Sequence, residues 1–303
     1  MLYSTTTPAA KRAAFREQLR SGRLLQLPGA FNPLAARLVQ DKGFDGVYVS
    51  GAVVAADLGL PDVGLTTLTE VATRAGQIAR MTDLPTLVDA DTGFGEAMNM
   101  ARTVQALEDA GVAGLHVEDQ VNPKRCGHLD GKQVVDDATA LQRVRAAAAA
   151  RRDENLLIMA RTDIRAVAGL GAAIDRAKAL VDAGADAIFP EAMADLAEFE
   201  AVASALDVPV LANMTEFGKS ELFTARQLAD AGVALVIYPV SMLRLAMGAA
   251  ERGLDALRAE GSLASQVPAM QTRARLYELV DYAGYGAFDA GVYDFSLDDQ
   301  HHG

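Results

Sequence analysis

Cysteine is nearly absent from this chain of 303 residues. The single one cannot form an intramolecular disulfide, which excludes a secreted disulfide scaffold. Positive charge is also scarce: 28 Lys plus Arg stand against 40 Asp plus Glu, a net charge of −12. A surface of that sign repels phosphate backbones and anionic lipid, so nucleic acid and membranes are poor partners. No apolar run approaches the ~20 residues that span a bilayer. Near the N-terminus Lys11, Arg12, Arg16 and Arg20 alternate with Glu17, so no signal peptide is expected. Histidine numbers four, two of them in the final tail, too few beside one cysteine for a tetrahedral zinc site. No Pro/Gly/Ser-rich linker or low-complexity tract divides the chain. These absences predict a reduced, cytoplasmic protein. Half the residues are hydrophobic and 22% charged, enough to bury a sizeable core.

One junction recurs. Asp41-Lys-Gly-Phe-Asp-Gly-Val, Asp109-Ala-Gly-Val-Ala-Gly-Leu, Asp182-Ala-Gly-Ala-Asp-Ala-Ile and Asp230-Ala-Gly-Val-Ala-Leu-Val each follow a helical pattern and precede a short apolar run. Glycine there fits a helix C-terminus that needs a left-handed residue before a strand. Eight β-rich runs are read: Leu24–Gly29, Gly46–Gly51, Pro85–Asp91, Gly114–Gln120, Leu156–Asp163, Ala187–Glu191, Val208–Thr215 and Leu235–Val240. Most are continuously apolar, as parallel strands covered by helices are. Amphipathic segments such as Met100–Ala110, Gly171–Ala183 and Thr224–Ala231 lie between them. The alternation predicts an α/β fold, a (β/α)₈ TIM barrel in one domain over 1–303. Residues 1–23 form a helical lead-in and 262–303 a C-terminal helical extension, with a helix expected over Met270–Tyr282.

In such a barrel the active site sits at the C-terminal ends of the strands. Polar residues collect there: Asp89 and Asp91, His116 and Glu118, Arg161 and Asp163, Glu191, Asn213 and Thr215. Residues two apart on a strand face the same way, so each pair can point into one mouth. A strand-end Asp or Arg often only satisfies a neighbour or caps a helix. Five successive strands ending this way argue against that, because unpaired buried charge is costly. Asp89, Asp91 and Glu118 offer hard oxygens suited to Mg²⁺ or Mn²⁺. After strand four comes Lys124-Arg-Cys-Gly-His128. A lone cysteine is most often a small buried hydrophobe. Here two cations and a histidine favour the thiolate, so Cys126 is a candidate acid/base or nucleophile. Lys132 and Asp136 beyond it are read as solvated surface. Gly218-Lys-Ser220 is not a phosphate loop, since the required glycine five residues earlier is Asn213. His301-His302 is read as tail rather than metal site.

These residues resemble the isocitrate lyase/phosphoenolpyruvate mutase superfamily, and within it the methylisocitrate lyases. The matching segments are Tyr48-Val-Ser-Gly51, Leu58-Gly-Leu-Pro-Asp62, Val88-Asp-Ala-Asp91, Leu115-His-Val-Glu-Asp-Gln120, Lys124-Arg-Cys-Gly-His128, Met159-Ala-Arg-Thr-Asp163, Phe189-Pro-Glu191, Leu211-Ala-Asn-Met-Thr-Glu-Phe-Gly218 and Met270-Gln-Thr-Arg273. The resemblance implies Mg²⁺ at Asp89 and Asp91, with Asp62 and Glu118 in the outer shell. It implies substrate contacts from Ser50, Gly51, Ala52, Cys126, Gly127, Arg161, Glu191, Asn213, Met214, Thr215, Arg244 and Arg273. Ala52 stands where the family usually carries glycine or another small residue. The implied reaction is cleavage of the tricarboxylate 2-methylisocitrate to pyruvate and succinate, in propionate catabolism. Cys126 is implied as the acid, Tyr48 as the base helped by Arg161, and His128 as a tuner of the thiol. Close alternatives are 2,3-dimethylmalate lyase or another 2-hydroxyacid lyase; a distant one is a non-catalytic dicarboxylate-binding barrel. The resemblance further implies a homotetramer that exchanges C-terminal helices.

Overall fold

Strand and helix alternate because apolar strands of three to six residues are each followed by a helical pattern with one apolar stripe. The computed structural model describes residues 4–125, 131–218 and 220–293. Its strands are β1 Leu25–Pro28, β2 Val47–Val49, β3 Thr86–Asp89, β4 Gly114–Glu118, β5 Leu157–Thr162, β6 Ala187–Pro190, β7 Leu211–Asn213 and β8 Leu235–Tyr238. The helices up to the fourth strand are α1 Pro8–Arg20, α2 Pro33–Asp41, α3 Gly51–Asp57, α4 Leu68–Ala79 and α5 Ala97–Asp109. Around the rest of the barrel run α6 Asp137–Ala150, α7 Arg165–Asp182, α8 Leu196–Ser204, α9 Ala225–Asp230 and α10 Ser241–Glu260. A 3₁₀ helix (Ala264–Ala269), α11 Arg273–Leu279 and α12 Tyr282–Tyr293 follow.

All pairings among the eight strands are parallel. β2 to β6 lie side by side in chain order, and β1, β8 and β7 form a second run. Bridges Gly29↔Tyr48 and Ile188↔Val210 join the two runs and close the barrel. Gly29 is needed at that seam, where a Cβ would fall 2.1 Å from the Pro239 carbonyl oxygen. The four recurring junctions are as expected: Gly43, Gly111, Gly184 and Gly232 all have positive φ, between 76° and 112°.

Alternation along the strands makes two apolar layers. Leu25, Leu27, Leu87, Leu157, Met159, Phe189, Leu211, Leu235 and Ile237 fill the barrel interior. Val47, Val49, Val88, Leu115, Val117 and Ile158 face the surrounding helices. α1 closes the N-terminal end. Thr7 caps it by accepting from the Ala10 N–H, and Phe15, fully buried, joins the interior cluster. Lys11 Nζ donates to the Ala79 carbonyl at 2.7 Å, and Arg12 donates to the carbonyls of Val112 and Glu108. Ala79 is the last residue of α4 and Glu108 lies in the last turn of α5, where carbonyls have no following turn to pair with.

The C-terminal region departs from the sequence reading. Met270–Tyr282 is not one helix: Thr272 caps a new start at Arg273, and Asp281, at φ 57°, separates α11 from α12. α11 lies against α2, with Arg37 donating to the Leu279 carbonyl and Arg275 paired to Asp41. Two helices here are little buried: in α10 only Ser241 and Ala256 are buried while Leu245, Met247, Leu254 and Leu257 are exposed, and α12 has no buried residue. No helix among the described residues is long and apolar enough to cross a membrane.

Candidate active site

Parallel register sets polar residues level with one another at the C-terminal ends of the strands. Asp89 pairs with His116, Glu118 with Arg161, and Arg161 with Phe189. Asp89, Arg161 and Phe189 border a cavity of about 170 Å³ lined also by Tyr48, Ser50, Ala52, Asp62, Lys124, Arg125, Glu191, Asn213, Thr215 and Arg244. Two clefts of about 700 Å³ are also present, one of them reaching Asp91, but the small cavity holds the converging charges. Its size suits a small acid rather than a drug-sized ligand of ~300 Å³ or more.

The acidic side is crowded and dry. Asp89 and Asp91 are 5% and 4% exposed. Asp89 Oδ2 accepts from the Gly51 N–H at 3.2 Å, and its Oδ1 from the Asp91 N–H at 3.0 Å. β3 ends at Asp89, so strand alternation does not aim Asp91. It reaches the site through a left-handed turn, φ 45°, a conformation costly for a non-glycine residue. Burial works against charge on Asp89, but His116, Lys124 and Arg161 outweigh it and hold the carboxyl below its usual range. Burial and the adjacent Asp89 push Asp91 up to about 6. Burial raises Glu118 well above the usual carboxylate range despite Arg161. The ammonium of Lys124, 4% exposed, bridges Asp91 Oδ1 at 2.8 Å and Asp62.

A divalent cation fits this arrangement. The donors are hard oxygens, Glu118 Oε1 is buried with no hydrogen-bond partner, and the Lys124 ammonium already marks the spot as cationic. Among the described residues no group of three or more His, Cys, Asp or Glu could hold a metal ion by itself. A cation held by one or two carboxylates completes its shell with water and substrate oxygens.

Opposite the acids stand Arg161, Asn213, Thr215 and Arg244. Arg161 pairs with Glu118 at 3.3 Å, Asp163 at 3.0 Å and Glu191 at 3.1 Å, and lies over the Phe189 ring. Asn213 Nδ2 is 3.5 Å from both Glu191 carboxylate oxygens. Arg244 donates to Thr215 Oγ1 at 3.1 Å and pairs with Glu216 at 2.7 Å. The Tyr48 hydroxyl is 2.7 Å from His116 Nε2. Burial, then Asp89, keeps that phenol protonated, with Arg161 pulling the other way. Burial also lowers His116 to about 4, so its ring is neutral at pH 7.

Several sequence-based placements change. Ser50, Gly51 and Ala52 stand at the start of α3, with Ser50 as its N-cap. Met214 is 2% exposed and packs in the layer between sheet and helices, because alternation from Asn213 turns it outward. Arg273 is exposed at the start of α11 and does not line the cavity, since α11 docks on the outer helix α2. Lys132 is not solvated: its side chain is 2% exposed and paired to Asp163. Asp136 is exposed and caps α6. Cys126, Gly127 and His128 lie outside the described residues. Phe189, Glu216 and the inward placement of Lys124 were not foreseen. The register of Phe189 beside Arg161 was the available signal for the first of these.

Fold and cavity define a class: a (β/α)₈ barrel with a carboxylate cluster facing arginines across a site sized for a small polyanion. The phosphoenolpyruvate phosphomutase family model matches residues 15–258. A Corynebacterium glutamicum protein named "Probable 2-methylisocitrate lyase 2" is 59% identical over 97% of this chain and 96% of its own length. The 2-methylisocitrate lyase of Escherichia coli (strain K12) is 48% identical over 90% and 93%. Among solved structures, 2,3-dimethylmalate lyase superposes with a TM-score of 0.88 at 32% identity, covering 96% of this chain and 97% of that one. Phosphonopyruvate hydrolase in complex with oxalate and Mg²⁺ superposes at 0.84 and 29% identity, covering 92% and 98%. The chain belongs to the isocitrate lyase/phosphoenolpyruvate mutase superfamily, alongside its 2-methylisocitrate lyases.

Proposed function

We propose that the protein is a metal-dependent carbon–carbon lyase that cleaves 2-methylisocitrate to pyruvate and succinate, acting in propionate catabolism. The observation that carries this reading is the cavity itself, where Asp89 and Asp62 face Tyr48, Arg161 and Arg244. A substrate with a hydroxyl and three carboxylates needs that mixture. Relatives named for this activity at 48–59% identity support it.

Asp89 and Asp91 would hold the cation, with Asp62 and Glu118 in its outer shell. Bound Mg²⁺, or Mn²⁺, would supply Lewis-acid stabilisation of charge on substrate oxygen. Tyr48 Oη is the proposed acceptor of the substrate hydroxyl proton, passing its own phenolic proton to the neutral His116 Nε2, 2.7 Å away, as it does so. Arg161 stays charged and orients the half that becomes pyruvate, with Ser50, Gly51 and Ala52 beside it. When the C–C bond breaks, its electron pair is left on the succinate half. Arg244, Asn213, Thr215 and Glu191 border the space proposed for that half, and preorganised donors there are commonly the largest catalytic effect. Cys126 Sγ is the proposed donor of a proton to the carbanion, with His128 tuning its acidity and Gly127 a proposed substrate contact.

We read the barrel, its α1 lead-in and the helices beyond residue 262 as one domain, in a cytoplasmic homotetramer that exchanges helices. Support comes from the exposed apolar residues of α10 and a groove of about 700 Å³ lined by Phe31, Leu34, Leu38, Phe44 and Met242. Light scattering tests the mass.

The deciding experiment supplies purified protein and Mg²⁺ with 2-methylisocitrate or isocitrate and measures pyruvate or glyoxylate. Pyruvate should far exceed glyoxylate and vanish with EDTA. No product from either substrate would refute the reading. The structural likeness to 2,3-dimethylmalate lyase makes 2,3-dimethylmalate the third substrate to assay. Cys126→Ser should retain substrate binding and lose turnover by orders of magnitude; near-normal turnover would remove Cys126 from the mechanism.

A further inference from the structure

A second buried lysine touches the site through one carboxylate. Lys132 Nζ lies 2.7 Å from Asp163 Oδ1, with side-chain exposures of 2% and 0%. The same carboxylate accepts from Arg161, at 3.0 Å from Nε and 3.3 Å from Nη2. Asp163 is fixed from behind, since its N–H donates to Asp119 Oδ1 at 2.9 Å. Lys132 is delivered by local pairing: Gln120 bridges Val134 antiparallel, and the Val121 N–H donates to the Gln133 carbonyl at 2.9 Å.

Burying a lysine is costly unless its charge is compensated, and here the compensation is a residue that also holds Arg161. Arg161 faces the carboxylates of Glu118, Asp163 and Glu191. A single guanidinium shared among three carboxylates has little net attraction left for a further anion. Lys132 supplies a second positive charge to Asp163. Arg161, which lines the cavity, then keeps its positive charge for an oxyanion there.

We propose that Lys132 is a positioning residue, neutralising Asp163 so that Arg161 keeps its orientation and its charge for the substrate. This rests on the assignment of Arg161 to substrate made above.

The test compares the wild type, Lys132→Gln, which keeps a donor but removes the charge, and Lys132→Arg. Oxalate binding to the Mg²⁺-loaded proteins is measured by calorimetry, alongside thermal unfolding and kcat and KM on 2-methylisocitrate. The expectation is that Lys132→Gln weakens oxalate at least tenfold and lowers kcat/KM by a similar factor. Lys132→Arg should stay within threefold of the wild type in both, whatever its Tm. Oxalate affinity within twofold of the wild type in Lys132→Gln, with only Tm lowered, would overturn the proposal and leave a purely structural ion pair. Absence of oxalate binding by the wild type would overturn it as well. If the wild type binds oxalate but does not cleave 2-methylisocitrate, the substrate reading fails while the oxalate affinities still decide on Lys132. Should Lys132→Gln not fold, the double variant Lys132→Met with Asp163→Asn removes both charges together. The proposal then requires oxalate affinity near the wild-type value, and its loss would count against it.

Discussion

Replacing Gly51 with alanine separates the metal site from the fold. A Cβ at this position would stand 3.0 Å from Asp89 Oδ2 and 3.2 Å from Asp91 Oδ1, inside the 3.4 Å at which ordinary contact begins. The methyl would therefore press both oxygens away by a few tenths of an ångström without removing any ligand. Mg²⁺ demands near-ideal octahedral geometry at ~2.0–2.1 Å, so it tolerates such a shift poorly. A 1 Å misplacement in a reacting site can cost ~10²-fold, and a few tenths scale to a loss of roughly three- to tenfold, about 1 kcal/mol. Stability should move the other way. Gly51 is the first residue of α3 and is not at positive φ, so alanine restricts the unfolded chain by up to ~1 kcal/mol. Calorimetric Mg²⁺ titration and a thermal melt read the two effects separately. The expected result is weaker Mg²⁺ binding with Tm unchanged or about 2 °C higher. Mg²⁺ affinity within twofold of the wild type would refute the reasoning, because the carboxylates would then not be seated against Gly51. A clear fall in Tm with metal binding intact would refute it too.

Two further predictions concern stability. Burial alone would raise Asp83, but hydrogen bonds from Ser4 and Thr6 and the charge of Lys11 bring it down to about 2. Its stabilisation is therefore full above the unfolded value of ~4 and is lost as pH falls through about 2. Asp83→Asn should lower stability at pH 7 by about 1 kcal/mol after solvent screening, and the gap should narrow by pH 3. Equal urea midpoints at pH 7 would contradict this. Phe15→Ala empties the plug at the N-terminal end of the barrel and should cost about 3–5 kcal/mol, read as a lower urea midpoint. A cost below about 1 kcal/mol would mean that α1 does not seal the interior.

The barrel was legible because its signals are local. Continuous apolar runs, amphipathic stripes and the Asp-x-Gly junctions before β2, β4, β6 and β8 are properties of short segments, and the positive φ of Gly43, Gly111, Gly184 and Gly232 follows from them. The placement of Asp89, Arg161, Glu191, Asn213 and Thr215 around one cavity was readable by the same logic, from polar residues ending successive strands. Asp91 was expected to face inward by alternation, whereas a left-handed turn brings it there.

What the sequence by itself determined is the set of elements, their order and the end of the barrel where charge collects, because hydrophobic period and turn chemistry act over a few residues. Only the tertiary structure decided which charges meet. It set Lys124 between Asp62 and Asp91, buried Lys132 against Asp163, turned Met214 outward and left Arg273 on the outside of the barrel. The lysine pairings join residues 31 to 62 positions apart, and the place of Arg273 depends on where α11 docks. Electrostatic pairing in a dry interior is fixed by three-dimensional distance, which spacing along the chain does not specify.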